Sequence, residues 1–192
     1  MIESSLSRRE FMRRGAGAAL VLPFIVGGCE KRMTPAAAAK SDVPPRVLTG
    51  GEAADLALLG ELLVPGSRAA GLVQYIDHQL GAPADENMLM IKYLGLPAPY
   101  TDFYRGGLAS IAGAARRKHD AAFTALSTGQ RKSLVDDFVA GRITGWQGPP
   151  ASLFYFVVRS DAIDVVYGTE QGFALLGVPY MAHIAPPSNW GA

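Results

Sequence analysis

The sequence has almost no cysteine. Cys29 is the one cysteine among 192 residues, so the chain can form no internal disulfide, no cysteine-based zinc or iron–sulfur site and no covalently attached haem of the Cys-x-x-Cys-His type. A small domain without disulfides depends on its hydrophobic core, and the residues after position 47 are numerous enough to build one. We therefore predict a single domain held together by apolar packing.

Motifs of the common catalytic and binding sites are also missing. The chain contains no Gly-x-Gly-x-x-Gly, no phosphate-binding loop, no His-Glu-x-x-His and no Gly-x-Ser-x-Gly. Its three histidines, His78, His119 and His183, lie far apart, its formal net charge is only +1, and no basic stripe for nucleic acid occurs after residue 28. We expect no catalytic, cofactor-binding or metal-binding residue in this chain, and no nucleic-acid partner.

Two acidic pairs are the remaining candidates for acid–base chemistry. Asp136 and Asp137 are adjacent, and adjacent residues on a helix point in different directions. Asp161 and Asp164 share a helix face at spacing i, i+3, but no nucleophile accompanies them. We expect a capping or hydrogen-bonding role for this second pair. An enzyme that uses Asp161, Asp164 or a histidine stays open as an alternative.

The N-terminal residues have the pattern of a bacterial export signal. Arg8 and Arg9 stand in "SRREFM" with Phe11, and this run is typical of the twin-arginine route. The apolar stretch that follows, residues 15–28, is shorter than the roughly 20 residues of a membrane-spanning helix and suits the core of a signal peptide. We predict an export signal over residues 1–28, with a retained membrane anchor as the alternative.

Cys29 ends the run "IVGGC", which resembles the lipobox of bacterial lipoproteins. In that pattern the thiol receives a diacylglycerol, the peptide is cut before the cysteine, and the acyl chains hold the protein at the membrane. An ordinary cut near Ala39 is the alternative, in which case the cysteine has no such role. Residues 29–47 are rich in proline and alanine without an apolar period, and they predict a flexible tether.

From residue 48 the apolar residues have helical spacing, and alternating stretches typical of strands are few. The pattern predicts an all-α fold, a single compact helical bundle over residues 48–192. The predicted elements are a helix capped by Thr49 and ended by Pro65–Gly66, a helix over 72–80 whose Gln74, Asp77 and His78 face water, a short helix within 83–94, one long helix from Tyr104 to Leu126, a helix capped by Ser127, and a buried helix at Leu153–Val158.

The stretch "SDAIDVVYGTEQGFALLGVPY", residues 160–180, places glycines and aromatic residues in a distinctive order. It resembles the closing motif of the gluconate 2-dehydrogenase subunit 3 family, in which Asp-Pro-x-Tyr-Gly-Gly-Asn precedes Gly-Trp and a Gly-Tyr-Pro-Gly turn. The resemblance extends over most of residues 48–180. The matching residues are Asp164, Tyr167, Gly168, Gly172, Gly177 and Pro179, and the departures are Val165, Thr169, Glu170, Phe173 and Tyr180.

The resemblance implies a role in a complex. In this family the large subunit holds FAD and oxidises a sugar, sugar acid or related alcohol, and a cytochrome c subunit, with haem c, often carries the electrons onward. The small subunit has no known catalytic residue, and its implied roles are export, maturation and stabilisation of the flavoprotein. The implied location is the bacterial periplasm, in association with the membrane.

The C-terminal glycines and aromatic residues also have a physical interpretation. Glycines permit tight turns and close approach of two backbones, and aromatic side chains supply large contact surfaces. They form either a packed C-terminal cap or a surface for the partner. A free-standing exported lipoprotein that binds a small ligand between its helices is the rival interpretation. The candidate partner-contact residues are Tyr167, Gly168, Gly172, Gly177, Tyr180 and Trp190.

Overall fold

The computed structural model describes residues 20–178, and their architecture is mostly helical with one two-stranded hairpin. This confirms the predicted all-α fold class. The elements are β1 (Leu22–Val26), β2 (Cys29–Met33), α1 (Pro35–Lys40), α2 (Gly50–Leu63), α3 (Leu72–Leu80), α4 (Met90–Tyr93), α5 (Thr101–His119), a 3-10 turn (Phe123–Ala125), α6 (Thr128–Val139), α7 (Ala151–Tyr167) and α8 (Glu170–Leu175).

Both predicted capping motifs form. The Thr49 hydroxyl accepts a hydrogen bond from the Glu52 N–H at 3.2 Å, and the Glu52 carboxylate accepts one from the Thr49 N–H at 2.7 Å. Ser127 and Gln130 make the same reciprocal pair at the start of α6. Each pair satisfies backbone donors that a helix start would otherwise leave unpaired. The starts of α2 and α6 are therefore fixed by local sequence.

Helix α7 is the centre of the bundle and packs against α2, α3, α4, α5, α6 and α8. Phe154 is fully buried on it and contacts the rings of Phe103, Phe138 and Trp146 at centroid distances of 5.8, 6.0 and 6.1 Å. A Cβ atom on Gly107 of α5 would lie 2.3 Å from the Phe154 ring, so the glycine allows α5 to approach. The sequence predicted a buried helix at Leu153–Val158. Phe156 is 46% exposed, so one face of α7 is open to solvent.

Two further expectations are wrong. The long helix does not run to Leu126: α5 ends at His119, because Asp120 takes a left-handed conformation with φ of 51° and the chain then forms the short 3-10 turn. Basic residues fill the last turn of α5, where they suit the helix dipole.

On α3, Asp77 does not face water. Its side chain is buried and accepts hydrogen bonds from the backbone N–H groups of residues 46, 47 and 48 at 2.7, 2.9 and 2.7 Å.

Residues 29–40 have regular structure where a flexible tether was predicted. β1 and β2 pair antiparallel through a turn at Gly27-Gly28, whose φ values of 60° and 81° suit a two-residue hairpin. Thr34 caps α1, and the fully buried Ala38 lets that helix lie close to α3. The alanine run lacked an apolar period, but its small side chains allow close packing.

Among the described residues, no helix is long and apolar enough to cross a membrane.

Candidate partner-binding surface

The described part of the C-terminal motif folds as a short helix turned back on the end of α7. Helix α7 ends at Tyr167, with Gly168 as its cap, and the Thr169 hydroxyl then accepts a hydrogen bond from the Gly172 N–H at 3.0 Å to start α8. Gly172 is buried, and a Cβ atom on it would lie 2.3 Å from the carbonyl oxygen of Val166. Only glycine permits this approach of α8 to α7.

The far side of α8 and the residues after it expose apolar side chains. Leu175 is 77% exposed, Leu176 58% and Val178 44%, and Tyr167, at the end of α7, is half-buried. We name Tyr167, Leu175, Leu176 and Val178 the C-terminal apolar surface. Single exposed apolar residues are common on soluble proteins, but a group of them marks a candidate contact site.

The structure brings four of the six predicted contact residues into this one segment. Tyr167, Gly168 and Gly172 lie at the junction of α7 and α8, and Gly177, exposed with φ of 67°, turns the chain between Leu176 and Val178. The other two, Tyr180 and Trp190, lie outside the described residues. So do the predicted signal residues Arg8, Arg9 and Phe11.

Sequence reasoning missed part of the exposed apolar area. Phe156 and Ile163 precede Tyr167 on α7 by eleven and four residues, which places all three on one helix face that is exposed or half-buried. Tyr93 and Leu94, on and after α4, are 69% and 42% exposed. Helical spacing within α7 could have identified Phe156, but the continuous apolar run around it concealed the exposed stripe.

Asp161 has the hydrogen-bonding role that the sequence suggested. It is fully buried on α7 and accepts hydrogen bonds from the Met90 N–H at 2.8 Å and from the Tyr104 hydroxyl. Burial raises its pKa from the ordinary 3.8 to about 7, although both hydrogen bonds act in the opposite direction. The carboxylate thus joins α7 to α4 and α5, and neither oxygen faces solvent. Asp164, three residues on, is exposed as a residue, but neighbouring atoms partly desolvate its carboxyl group and so raise its pKa.

This buried carboxylate predicts a specific pH dependence of stability. Because the pKa of Asp161 is higher in the folded chain, its contribution is fully present below pH 4 and is lost as the pH rises through about 7. The rise in pKa corresponds to a loss on the order of 4 kcal/mol. Asp161→Asn removes the titration, so its free energy of unfolding in urea should change less between pH 4 and 8 than that of the wild type.

The matched control is Asp136→Asn. Asp136 is exposed and pairs with Lys132 at 3.1 Å on the surface of α6, so its replacement should leave the slope of stability against pH nearly unchanged. If Asp161→Asn keeps the wild-type slope, burial of this carboxylate does not govern the pH response.

A concave site lies beside α3, next to the hairpin. A cavity of about 390 Å³ is lined by residues of the hairpin, of α3 and of the segment 43–47. Phe24, Val43, Val73 and His78 are among its lining residues, and Asp77 contributes a carboxylate already occupied by backbone donors. Within residues 20–178, no group of three or more His, Cys, Asp or Glu residues is placed to bind a metal ion.

Comparison with known proteins identifies the relationship of the chain. A family model described as gluconate 2-dehydrogenase subunit 3 matches residues 51–181, which include nearly all of α2 and every later helix. The match also includes the motif at residues 160–180 that suggested the resemblance. No curated protein and no solved structure matches the chain significantly. Because the matched range covers more than half of the sequence, the chain belongs to the gluconate 2-dehydrogenase subunit 3 family.

Proposed function

We propose that this chain is the non-catalytic small subunit of an exported, membrane-associated dehydrogenase whose large subunit binds FAD. In this role it carries the twin-arginine signal and supports export, maturation and stability of the flavoprotein. The observation that supports it most is the family match, since the family is named for a third subunit of a dehydrogenase. The substrate class is a sugar, a sugar acid or a related alcohol, oxidised on the large subunit.

The export role follows from a contrast within the sequence. The twin-arginine route carries proteins that are already folded, usually around a cofactor, yet this chain has the signal without a recognisable cofactor motif. The contrast is resolved if the signal serves a bound partner that lacks one. The complex would then cross into the bacterial periplasm as a unit, and a cytochrome c subunit with haem c would accept its electrons.

Cys29 supplies the proposed attachment to the membrane. Its thiol is exposed at the start of β2, directly after the turn at Gly27-Gly28. A diacylglycerol on this sulfur, with the lipobox order of residues 25–29, would hold the complex at the bilayer surface.

The C-terminal apolar surface is the proposed contact with the large subunit. The core of a protein interface is apolar and rich in aromatic side chains, and Tyr167, Leu175 and Leu176 offer that chemistry beyond the main bundle. Gly172 holds these residues in place by letting α8 lie against α7. Tyr180 and Trp190, farther along the chain, extend the proposed contact.

Truncation of this surface should weaken the complex without unfolding the subunit. Leu175 is 77% exposed, so Leu175→Ala removes little buried area from the subunit itself. A contact residue at a hot spot contributes about 2 kcal/mol, which corresponds to a roughly 30-fold loss of affinity. We expect that loss for Leu175→Ala, and likewise for Tyr180→Ala and Trp190→Ala, in a titration against the purified flavoprotein.

Val139→Ala is the matched control, because Val139 is an exposed apolar residue at the end of α6, outside the motif. It should bind the flavoprotein with wild-type affinity, and all variants should keep wild-type helical circular dichroism. Wild-type affinity for Leu175→Ala, Tyr180→Ala and Trp190→Ala together would show that the large subunit binds elsewhere.

A further inference from the structure

We propose that the folded precursor hides the apolar core of its own export signal. In this account β1 docks in a groove formed by α3 and the segment 43–47, and the docked hairpin must open before the signal can be engaged. The inference rests on the proposed function in one respect, since it takes residues 1–28 as an export signal. The docking itself is independent of that assignment.

The burial pattern of β1 identifies the docked face. Leu22 and Phe24 are each only 7% exposed, whereas Pro23 between them is exposed and Ile25 is 41% exposed. Alternation with a period of two is what a strand shows when one face lies against the rest of the protein. These are residues of the predicted signal core, and the same side chains would have to be free for recognition during export.

Phe24 of β1 contacts α3. The Phe24 ring lies 5.5 Å from the His78 imidazole at an angle of 60°. The wall on the other side is fixed, because the Asp77 carboxylate holds the backbone of residues 46–48. The groove is therefore preformed by the domain.

The fit between the hairpin and the groove is incomplete, which favours release of the hairpin. The cavity of about 390 Å³ lies between the hairpin and the groove, so the two do not pack against each other over their whole length. Two apolar anchors, Leu22 and Phe24, supply most of the burial. A two-stranded hairpin is barely stable alone, so the hairpin should lose its structure when these anchors leave the groove.

The docked hairpin also protects the proposed cleavage site from the peptidase. Val26 pairs with Cys29, and the bond between Gly28 and Cys29 lies at the closed end of the hairpin. Cleavage of a folded segment requires it to open locally first. Masking of the signal core and protection of the cut therefore have one common cause, the docking of β1.

The chain offers a matched pair of variants for the test. Phe24→Ala and Ile25→Ala each remove one large apolar side chain from the predicted signal core, but Phe24 is buried against α3 whereas Ile25 is 41% exposed. In the purified full-length chain, amide hydrogen exchange of residues 22–33 should be protected. Phe24→Ala should lower that protection roughly tenfold or more, and Ile25→Ala should change it little.

The same pair is then followed by pulse–chase export in a bacterium that uses the twin-arginine route. We expect Phe24→Ala to leave the cytoplasm several-fold faster than Ile25→Ala. Unprotected amides over residues 22–33 in the wild type would overturn the docking. Protection that Phe24→Ala removes without faster export would overturn the masking. Failure of the signal assignment is distinguishable, because it would abolish dependence of export on Arg8 and Arg9 and leave the exchange pattern intact.

Discussion

Lysine at both Arg8 and Arg9 should reduce export of this chain to background, and envelope dehydrogenase activity should fall with it. Arginine presents a planar, forked set of donors, and lysine presents a single point charge, so a receptor that reads the fork does not accept the substitution. The net charge is unchanged, and the two residues lie before the described domain. The measurement is the amount of the chain and of the flavoprotein in periplasmic and membrane fractions.

Arg13-Arg14→Lys-Lys is the matched control for this experiment. It makes the same exchange at the neighbouring arginine pair, outside the run "SRREFM", and it should export normally. Normal export of the Arg8-Arg9→Lys-Lys variant would refute the twin-arginine assignment. Loss of export in both variants would indicate a requirement for arginine that is unrelated to the motif.

Removal of the Phe154 ring should have the largest effect on folding. Phe154 is fully buried at the centre of α7 and contacts aromatic rings on α5 and α6 and in the loop before α7. Phe154→Ala leaves a cavity among these rings, and substitutions of this kind cost about 3–5 kcal/mol. A single domain has only about 5–15 kcal/mol of stability, so the variant should be close to unfolding.

Phe156→Ala provides the comparison on the same helix. Phe156 is 46% exposed, so its removal should change the free energy of unfolding by about 1 kcal/mol or less. Chemical denaturation of both variants tests the difference. Equal losses of stability would contradict the assignment of α7 as the central helix with one buried face.

Local sequence signals predicted the helix starts well. The Thr49 and Ser127 capping boxes need only four residues each, and both form as expected. The break after α2 depends on Pro65 and Gly66, whose backbone preferences are also local. Features that depend on four neighbouring residues can be read from the sequence because no distant contact has to be known.

The wrong predictions concern features that tertiary structure determines and that the local pattern does not show. Asp77 has the pattern of a solvent-facing residue on α3, but the backbone of residues 46–48 supplies three donors that a helical wheel does not contain. The tether prediction failed for a similar reason, since Ala38 becomes buried only because α3 lies beside it. The end of α5 depends on one residue, Asp120, whose left-handed conformation the apolar spacing does not reveal.

The candidate surface was predicted from its glycines and aromatic residues, whereas its exposed leucines were not. Gly172 stands where two backbones meet, which is a physical reason for glycine. Leu175 and Leu176 follow it as an ordinary apolar pair, and only the fold shows that they are exposed. Exposure of an apolar residue is a tertiary property, so the sequence pattern alone assigns it to the core.

The most direct test of the central claim is purification of this chain from its native host with a tag at the C-terminus. The account predicts that a large subunit co-purifies and that the preparation has the absorbance spectrum of bound FAD. The flavoprotein should lack an export signal of its own. A colourless preparation that contains this chain alone, from membranes with active dehydrogenase, would contradict the account.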